Sequence, residues 1–223
     1  MQNNVTDTIA HIKDLTGQDN LSNAKAVRLI NYAQDKYTYL ALTAGGKAQV
    51  DDTTNTDINR ATATLESGQV KVQIGADFVM WSFLEIEDSE GNRWRLKPYD
   101  QRFQEKTTPK STDTGRPTMY DYYGGIFYFD RYADQDYTVR AHYERAFNHV
   151  STDDLTATIG IPSIHAEYIA FFGAERVAMS TNDPSFTVFR DERMRMERDI
   201  TDFYRVRDED MPQVLQARVD VRR

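Results

Sequence analysis

The sequence contains no cysteine among its 223 residues. This absence excludes disulfide bonds, thiolate nucleophiles, cysteine-based zinc sites and iron–sulfur clusters. The sequence also lacks any run of roughly 20 apolar residues, the length that a membrane-spanning helix needs. Its first residues, Met1 to Asn4, form neither a basic segment nor an apolar one. We therefore expect a protein that is stabilised by packing alone, with no membrane partner and no conventional signal peptide.

Positive charge is scarce as well. Lys and Arg number 27 against 35 Asp and Glu, which gives a formal net charge of -8. Because tight binding to a phosphate backbone needs a surplus of cations, we expect the protein to repel DNA rather than hold it. The four histidines, at positions 11, 142, 149 and 165, show none of the spacings that bring two nitrogens to one metal. We expect no metal and no other cofactor.

Helical spacing of apolar residues occurs at both ends of the chain. The N-terminal part predicts two helices, the first ended by Gly17 and the second capped by Ser22, with apolar stripes at Val5, Ile9, Ile12 and at Val27, Ile30, Ala33, Tyr37, Leu40. The C-terminal part predicts a third helix from Pro162 and a fourth from Asp183, with stripes at Ile164, Tyr168, Phe171, Phe172, Glu175, Met179 and at Phe186, Phe189, Met196, Ile200, Phe203.

Between Ala61 and Phe147 the period of the pattern changes to two. Alternating or aromatic runs predict strands at residues 69–74, 83–87, 94–96, 125–129 and 137–143. Strands this short, without helical segments between them, favour a small antiparallel β-barrel or sandwich. Two polar stretches, residues 51–57 and 105–116, have the composition of exposed loops.

These patterns predict an α+β fold. Neither helix pair has enough apolar partners to be stable alone, so we expect residues 1–48 and 160–210 to form one discontinuous helical bundle. Residues 58–150 then form an inserted antiparallel β module. Residues 211–223 form an extended C-terminal tail, in which polar residues alternate with apolar ones. An alternating tail without an intramolecular partner is suited to pairing with another subunit.

No catalytic constellation is evident. The glycine pairs at 45–46 and 124–125 lack the context of a phosphate loop and suit turns, and adjacent acids are expected by chance in so acidic a chain. The tyrosine-rich run around Tyr122 and Tyr123 suits a strand that fills a core, with a ligand platform or a protein interface as alternatives. The mixed-charge fourth helix is typical of a solvated face, but it also suits contact with a neighbouring subunit through Arg190, Arg193, Glu197 and Arg198.

The succession of motifs resembles the head-to-tail connector adaptors of tailed bacteriophages, similar to the tail tubular protein A group. The motifs that carry the resemblance are Leu65-x-x-Gly68-Gln69-x-x-Val72-x-Ile74, Ile86-x-Asp88-x-x-Gly91-x-x-x-x-Leu96-x-x-x-Asp100, Gly115-x-Pro117 and Ile161-Pro162-x-x-His165-x-x-Tyr168. The similarity spans residues 22 to 205. It is the order of these motifs, each low in information by itself, that indicates the family.

The resemblance implies a structural protein of the virion neck, assembled in the host cytoplasm and without enzymatic activity. Such adaptors commonly form a ring of twelve copies beneath the portal protein, extend the DNA channel without binding DNA specifically and provide a docking surface for tail or stopper proteins. In that family the C-terminal segment reaches into the portal. The positions of this sequence that would do so are Val214, Leu215, Ala217, Val219, Val221, Arg222 and Arg223.

Three other functions remain open from the residues. The first is a tail-tube or stopper subunit of the same neck. The second is a carbohydrate- or receptor-binding module that uses the tyrosine-rich strands, with Tyr122 and Tyr123 as its stacking rings. The third is a hydrolase with an unfamiliar carboxylate site, for which the sequence offers only the number of its acids.

Overall fold

A computed structural model describes residues 3–45, 59–75, 78–99 and 113–209 of the chain. The chain divides into two compact units. One comprises residues 1–56 and 147–223, and the other comprises residues 57–146. The first unit holds the helices and the second holds two β-sheets, so the fold class is α+β. Across the described ranges, no helix is both long enough and apolar enough to span a bilayer.

The first two helices begin and end where the local sequence predicted. Helix α1 spans Val5–Thr16 and ends at Gly17, whose φ of 62° lies in the left-handed region that glycine adopts without strain. Helix α2 spans Asn23–Thr43, and the Ser22 side chain accepts a hydrogen bond from the Lys25 amide at its start. Both boundary predictions are confirmed.

The third helix is buried on most of its surface. A short 3-10 turn at Ser163–His165 leads into α3, Ala166–Thr181, which packs against α1, α2 and α4. The predicted stripe is wrong at its two ends, because Ile164 is 72% exposed and Met179 is 50% exposed. Small side chains on α3 let three helices pack against it at once. Its buried residues therefore lie on most sides of the helix: Ala166, Tyr168, Ile169, Ala170, Phe172, Gly173, Ala174, Glu175, Val177 and Ala178.

The fourth helix covers one side of α3. Helix α4 spans Phe186–Glu209, after a turn in which the Asp183 carboxylate accepts a hydrogen bond from the Ser185 amide at 2.8 Å. Its predicted stripe is confirmed at Phe189 and Ile200, which are buried. Tyr204, absent from that prediction, is buried as well, at 1% exposure.

Backbone pairing holds the start of the chain against the segment that follows the β unit. The Val5 amide donates to the Ala157 carbonyl, and the Ile159 amide donates to the Asn3 carbonyl at 2.9 Å. On α2, the Asn31 side chain both donates to the carbonyl and accepts from the amide of Val150. These bonds satisfy peptide groups that have no partner within a helix or a named strand.

The β unit consists of two four-stranded sheets. Its strands are β1 Arg60–Leu65, β2 Lys71–Gln73, β3 Met80–Glu87, β4 Arg93–Arg95, β5 Lys97–Pro98, β6 Met119–Tyr123, β7 Ile126–Phe129 and β8 Tyr137–Glu144. The strand orders are β1-β8-β3-β4 and β2-β7-β6-β5. Neither sheet closes on itself in the described residues, so the barrel alternative is wrong. The prediction of purely antiparallel pairing is also wrong at one place, since the short β5 pairs with β6 in parallel.

The two sheets contribute side chains to one shared apolar core. It includes Leu84 and Val139 from the first sheet and Phe127 and Phe129 from the second, all buried.

The hairpin that joins β6 to β7 turns at Gly124 and Gly125, whose φ values of 60° and 83° match the positive angles that a tight two-residue turn requires. The expectation that this glycine pair forms a turn is confirmed.

The close contact between α1 and α3 yields a stability prediction. A Cβ atom at Gly173 would lie 2.6 Å from the Cδ1 of Ile12, which is fully buried. Alanine gains about 1 kcal/mol over glycine within a helix, but overpacking a core costs about 1–3 kcal/mol. We therefore expect Gly173→Ala to lower the free energy of unfolding by about 1 kcal/mol.

Ile12→Val supplies the test of this mechanism, because valine lacks the methyl group that would clash. In the Ile12→Val background, Gly173→Ala should be neutral or stabilising, and urea denaturation of the four proteins measures the coupling as a double-mutant cycle. A Gly173→Ala protein that is more stable than the unmodified chain would contradict the close contact.

Candidate assembly surfaces

The histidines and acids of the described residues do not form a metal site. No group of three or more His, Asp or Glu side chains there is placed to hold a metal ion. Three of the histidines have separate polar partners: His142 lies beside Glu85, His149 beside Asp35, and His165 beside the Tyr37 hydroxyl at 2.7 Å. His11 packs edge-on against Phe171. These side chains therefore serve different local contacts.

A partly buried ion network joins α3 to α4. The Arg193 guanidinium contacts Glu175 and also donates to Glu197 at 2.6 Å, while the Tyr168 hydroxyl donates to Glu197 at 3.3 Å. Burial by itself lowers the pKa of Arg193, but the hydrogen bonds to the two carboxylates outweigh it and raise the pKa above its usual value. Two of the predicted interface residues, Arg193 and Glu197, thus make their contacts within the chain.

The outer face of α4 is charged and largely paired with itself. Arg195 pairs with Glu192 and Asp199, Arg190 with Asp191, and Arg205 with Asp202. Such exposed pairs contribute little to stability. Arg198 differs: it is exposed and has no ion-pair or hydrogen-bond partner among the described residues. Exposed apolar side chains interrupt the same face: Val188, Met194 and Val206.

A groove lies on each flank of α4. The groove between α4 and α2 has a volume of about 540 Å³ and is lined by Leu40, Met194, Glu197, Arg198, Thr201 and Asp202. The groove between α4 and the start of α3 has a volume of about 220 Å³ and is lined by Ile164, His165, Glu167, Tyr168, Arg195, Met196, Asp199 and Ile200. The sequence pattern did not predict either groove, because each is formed where two different helices pack side by side.

The two candidate tyrosines of the β unit differ in their surroundings. Tyr122 is half-buried, and its ring packs against Trp81 and Phe127 at centroid distances of 5.7 and 4.8 Å. Tyr123 is 74% exposed at the tip of the β6–β7 hairpin. Tyr120 on the same strand is buried, at 2% exposure. The strand therefore contributes mainly to the core, and only Tyr123 of the two predicted stacking rings is fully presented to solvent.

The outer face of the first sheet carries a polar and aromatic cluster that sequence reasoning missed. The Phe83 and His142 rings stack with centroids 4.2 Å apart, and the Arg95 guanidinium lies 4.3 Å from the Phe83 centroid. Glu87 lies on the same face of β3, four residues after Phe83, and hydrogen bonds from Arg140 and Arg93 lower its pKa. The period of two in residues 83–87 was the available signal, since it places alternate side chains on the same face.

Several predicted features lie outside the described residues. These are the loop at 51–57, residues 105–112 of the second loop, and the whole C-terminal tail, with Val214, Leu215, Ala217, Val219, Val221, Arg222 and Arg223. Their predicted contacts stay predictions.

Comparison with known proteins identifies the family. Residues 3–221 match the family described as SU10 adaptor protein. No curated protein matches the chain. Because the match covers nearly the whole sequence, the chain belongs to the SU10 adaptor family of phage head-to-tail adaptors, which are structural components of the virion.

The ion network between α3 and α4 generates a second stability prediction. We expect Arg193→Ala to lower the free energy of unfolding by roughly 2–4 kcal/mol, because it leaves two partly buried carboxylates without their cation. The matched control is Arg190→Ala on the same helix, where an exposed pair is lost and the change should stay within about 0.5 kcal/mol. Urea denaturation measures both, and equal effects at the two positions would contradict a structural role for Arg193.

Proposed function

We propose that this member of the SU10 adaptor family forms a ring beneath the portal protein of its phage, extends the DNA channel and presents a docking surface for tail or stopper proteins. The observation that carries the proposal is the family match, which runs through both compact units and on to residue 221. A match of this extent relates the complete arrangement of helical and β regions to an adaptor, rather than one isolated motif.

We assign different tasks to the parts of the chain. The helices of residues 1–48 and 160–210 form the bundle that makes the body of the ring. The β module of residues 58–150 is inserted into this bundle and faces the next component of the neck. Residues 211–223 form the tail that docks on the portal, where their alternating pattern suits addition to a sheet edge and Arg222 and Arg223 suit acidic partners.

The charges of the chain are consistent with a DNA channel. Each copy carries a formal net charge of -8. Repeated around a ring, this charge favours an electronegative wall along which DNA moves without adhering. In the part of the chain that the structure describes, the arginines of α4 are mostly paired with neighbouring acids, which removes the cationic stripe that DNA binding would need.

Contacts between subunits involve the exposed residues of the predicted set. Arg190 and Arg198 lie on the outer face of α4, and Tyr123 lies at the tip of a hairpin. Arg193, Glu197 and Tyr122 are half-buried and engaged within their own unit, so we propose that they support these surfaces from beneath.

Deletion of the tail tests the docking assignment. A chain that ends at residue 210 should remain folded and soluble but should not be captured by purified portal rings of the same phage, whereas the full-length chain is captured. The matched control replaces residues 211–223 with a Gly/Ser segment of equal length, which separates loss of the tail's side chains from loss of its length. Sedimentation with portal rings measures capture, and circular dichroism confirms folding.

The opposite result has a clear meaning. A truncated chain that joins portal rings as well as the full-length chain does would show that residues 211–223 are not the docking element. Failure of the full-length chain to join portal rings or virion necks at all, seen by electron microscopy of the particle, would contradict the proposed position beneath the portal.

A further inference from the structure

The two grooves beside α4 lie on opposite flanks of its exposed ridge. With 3.6 residues per turn, Asp191, Arg195 and Asp202 fall on the outward side of the helix, opposite the buried Ile200 and Tyr204. The groove toward α2 lies to one side of this ridge and the groove toward the start of α3 lies to the other. Each subunit thus has two different grooved surfaces, one on each side of α4, and they face in different directions.

The groove between α2 and α4 combines an apolar lining with a cation that has no partner. Leu40 and Met194 supply apolar surface, and Met194 is 50% exposed. Two acids of the lining are already paired within the chain, Glu197 with Arg193 and Asp202 with Arg205. Arg198 therefore remains as the one lining charge without an ion pair in the described residues, and the groove suits an apolar side chain that is accompanied by an anion.

The opposite flank presents a matching pair of side chains. Ile164 projects from the turn before α3 and is 72% exposed, a high value for a residue with so large an apolar surface. Glu167 follows three residues later and is also exposed, with no hydrogen bond or ion pair within the described ranges. Arg195 lines the same groove and interacts electrostatically with Glu167, but its hydrogen bonds go to Glu192 and Asp199. This flank thus offers an exposed apolar side chain beside an acid that makes no hydrogen bond or ion pair in the described residues.

We propose that Ile164 and Glu167 of one copy insert into the α2–α4 groove of the next copy. Ile164 contacts Leu40 and Met194, and Glu167 pairs with Arg198. Because the donating and receiving surfaces lie on different flanks of one helix, each copy can use both at once, which is the head-to-tail type of contact that closes into a ring when the rotation is suitable. The inference rests on the proposed function, since it names the partner surface within that ring.

A contact made by two side chains in one groove is small for a stable interface, so it should form mainly where the copies are held side by side. Docking of several tails on one portal raises the effective concentration of neighbouring copies. We therefore expect a monomer in dilute solution and contact between copies on the portal ring. The experiments below use the full-length chain bound to that ring.

Cysteine pairing tests the geometry directly, because the natural chain contains no cysteine. Copies that carry Ile164→Cys are mixed with copies that carry Met194→Cys, bound to portal rings and oxidised. We expect disulfide-linked dimers that contain one copy of each variant. The matched control mixes Met179→Cys copies with Met194→Cys copies, since Met179 is as exposed as Met194 but lies near the other end of α3, and it should give no such dimer.

Charge exchange tests the proposed ion pair. Arg198→Glu and Glu167→Arg each place like charges at the contact, so each variant alone should bind fewer than half as many copies per portal ring as the unmodified chain, as counted by native mass spectrometry. An equal mixture of the two variants restores opposite charges at every contact and should recover full occupancy with alternating copies. Arg28→Glu, a change at an exposed position of α2 that takes no part in the proposed contact, serves as the control and should leave occupancy unchanged.

The outcomes separate this inference from the function on which it rests. Absence of portal capture by the unmodified chain would overturn the proposed function. Normal capture without a disulfide between the Ile164→Cys and Met194→Cys copies, or full occupancy by both charge variants alone, would overturn only the contact between copies. Thermal melting of each variant shows that a loss of occupancy does not come from unfolding.

Discussion

Burial of α3 on nearly all sides is the constraint on which the helical unit depends. Helices α1, α2 and α4 each pack against it, and in proteins most of the stability of a helix comes from such tertiary packing. Small residues make this possible: at Gly173 the Ile12 side chain of α1 approaches so closely that a methyl group has no room. The Tyr37 ring of α2 adds a polar connection, since its hydroxyl lies within hydrogen-bond distance of both His165 and Tyr204. The unit is therefore assembled from segments at the two ends of the chain.

The charged side chains of this acidic protein make different contacts in the partly buried interior and on the surface. Where a cation is partly buried, as at Arg193, it is matched by two carboxylates, one of which also accepts a hydrogen bond from the Tyr168 hydroxyl. These bonds make Arg193 part of the packing between α3 and α4. On the outer face of α4 most cations pair with acids one turn away, so that side is close to neutral. Arg198 and Glu167 depart from this pattern on different flanks of the helix, which makes them candidates for contact in a ring of identical copies.

The surfaces of the molecule suit an adaptor that works through contact with neighbouring proteins. The described histidines and acids do not converge on a metal, and the tyrosine-rich strand directs most of its rings into the β core. The described residues instead expose large apolar side chains, at Ile164, at Met194 and at the tip of the Tyr123 hairpin. Membership of the SU10 adaptor family gives these surfaces a context in the neck of a virion.

Local features of this protein were determined by the sequence alone. The α+β class, the ends of α1 and α2 at Gly17 and Ser22, and the turn at Gly124 follow from caps, glycine conformations and apolar periods that act within a few residues. The order of the motifs indicated the adaptor family, and Arg198 was already a candidate for subunit contact. Only the tertiary structure decided that α3 is surrounded, that Arg193 is held internally, that the sheets stay open, and that Ile164 and Glu167 face away from the receiving groove. These properties arise from contacts between separate helices or strands, some of them more than a hundred residues apart, such as α2 and α4. Periodicity within one helix carries no information about which other helix will cover it.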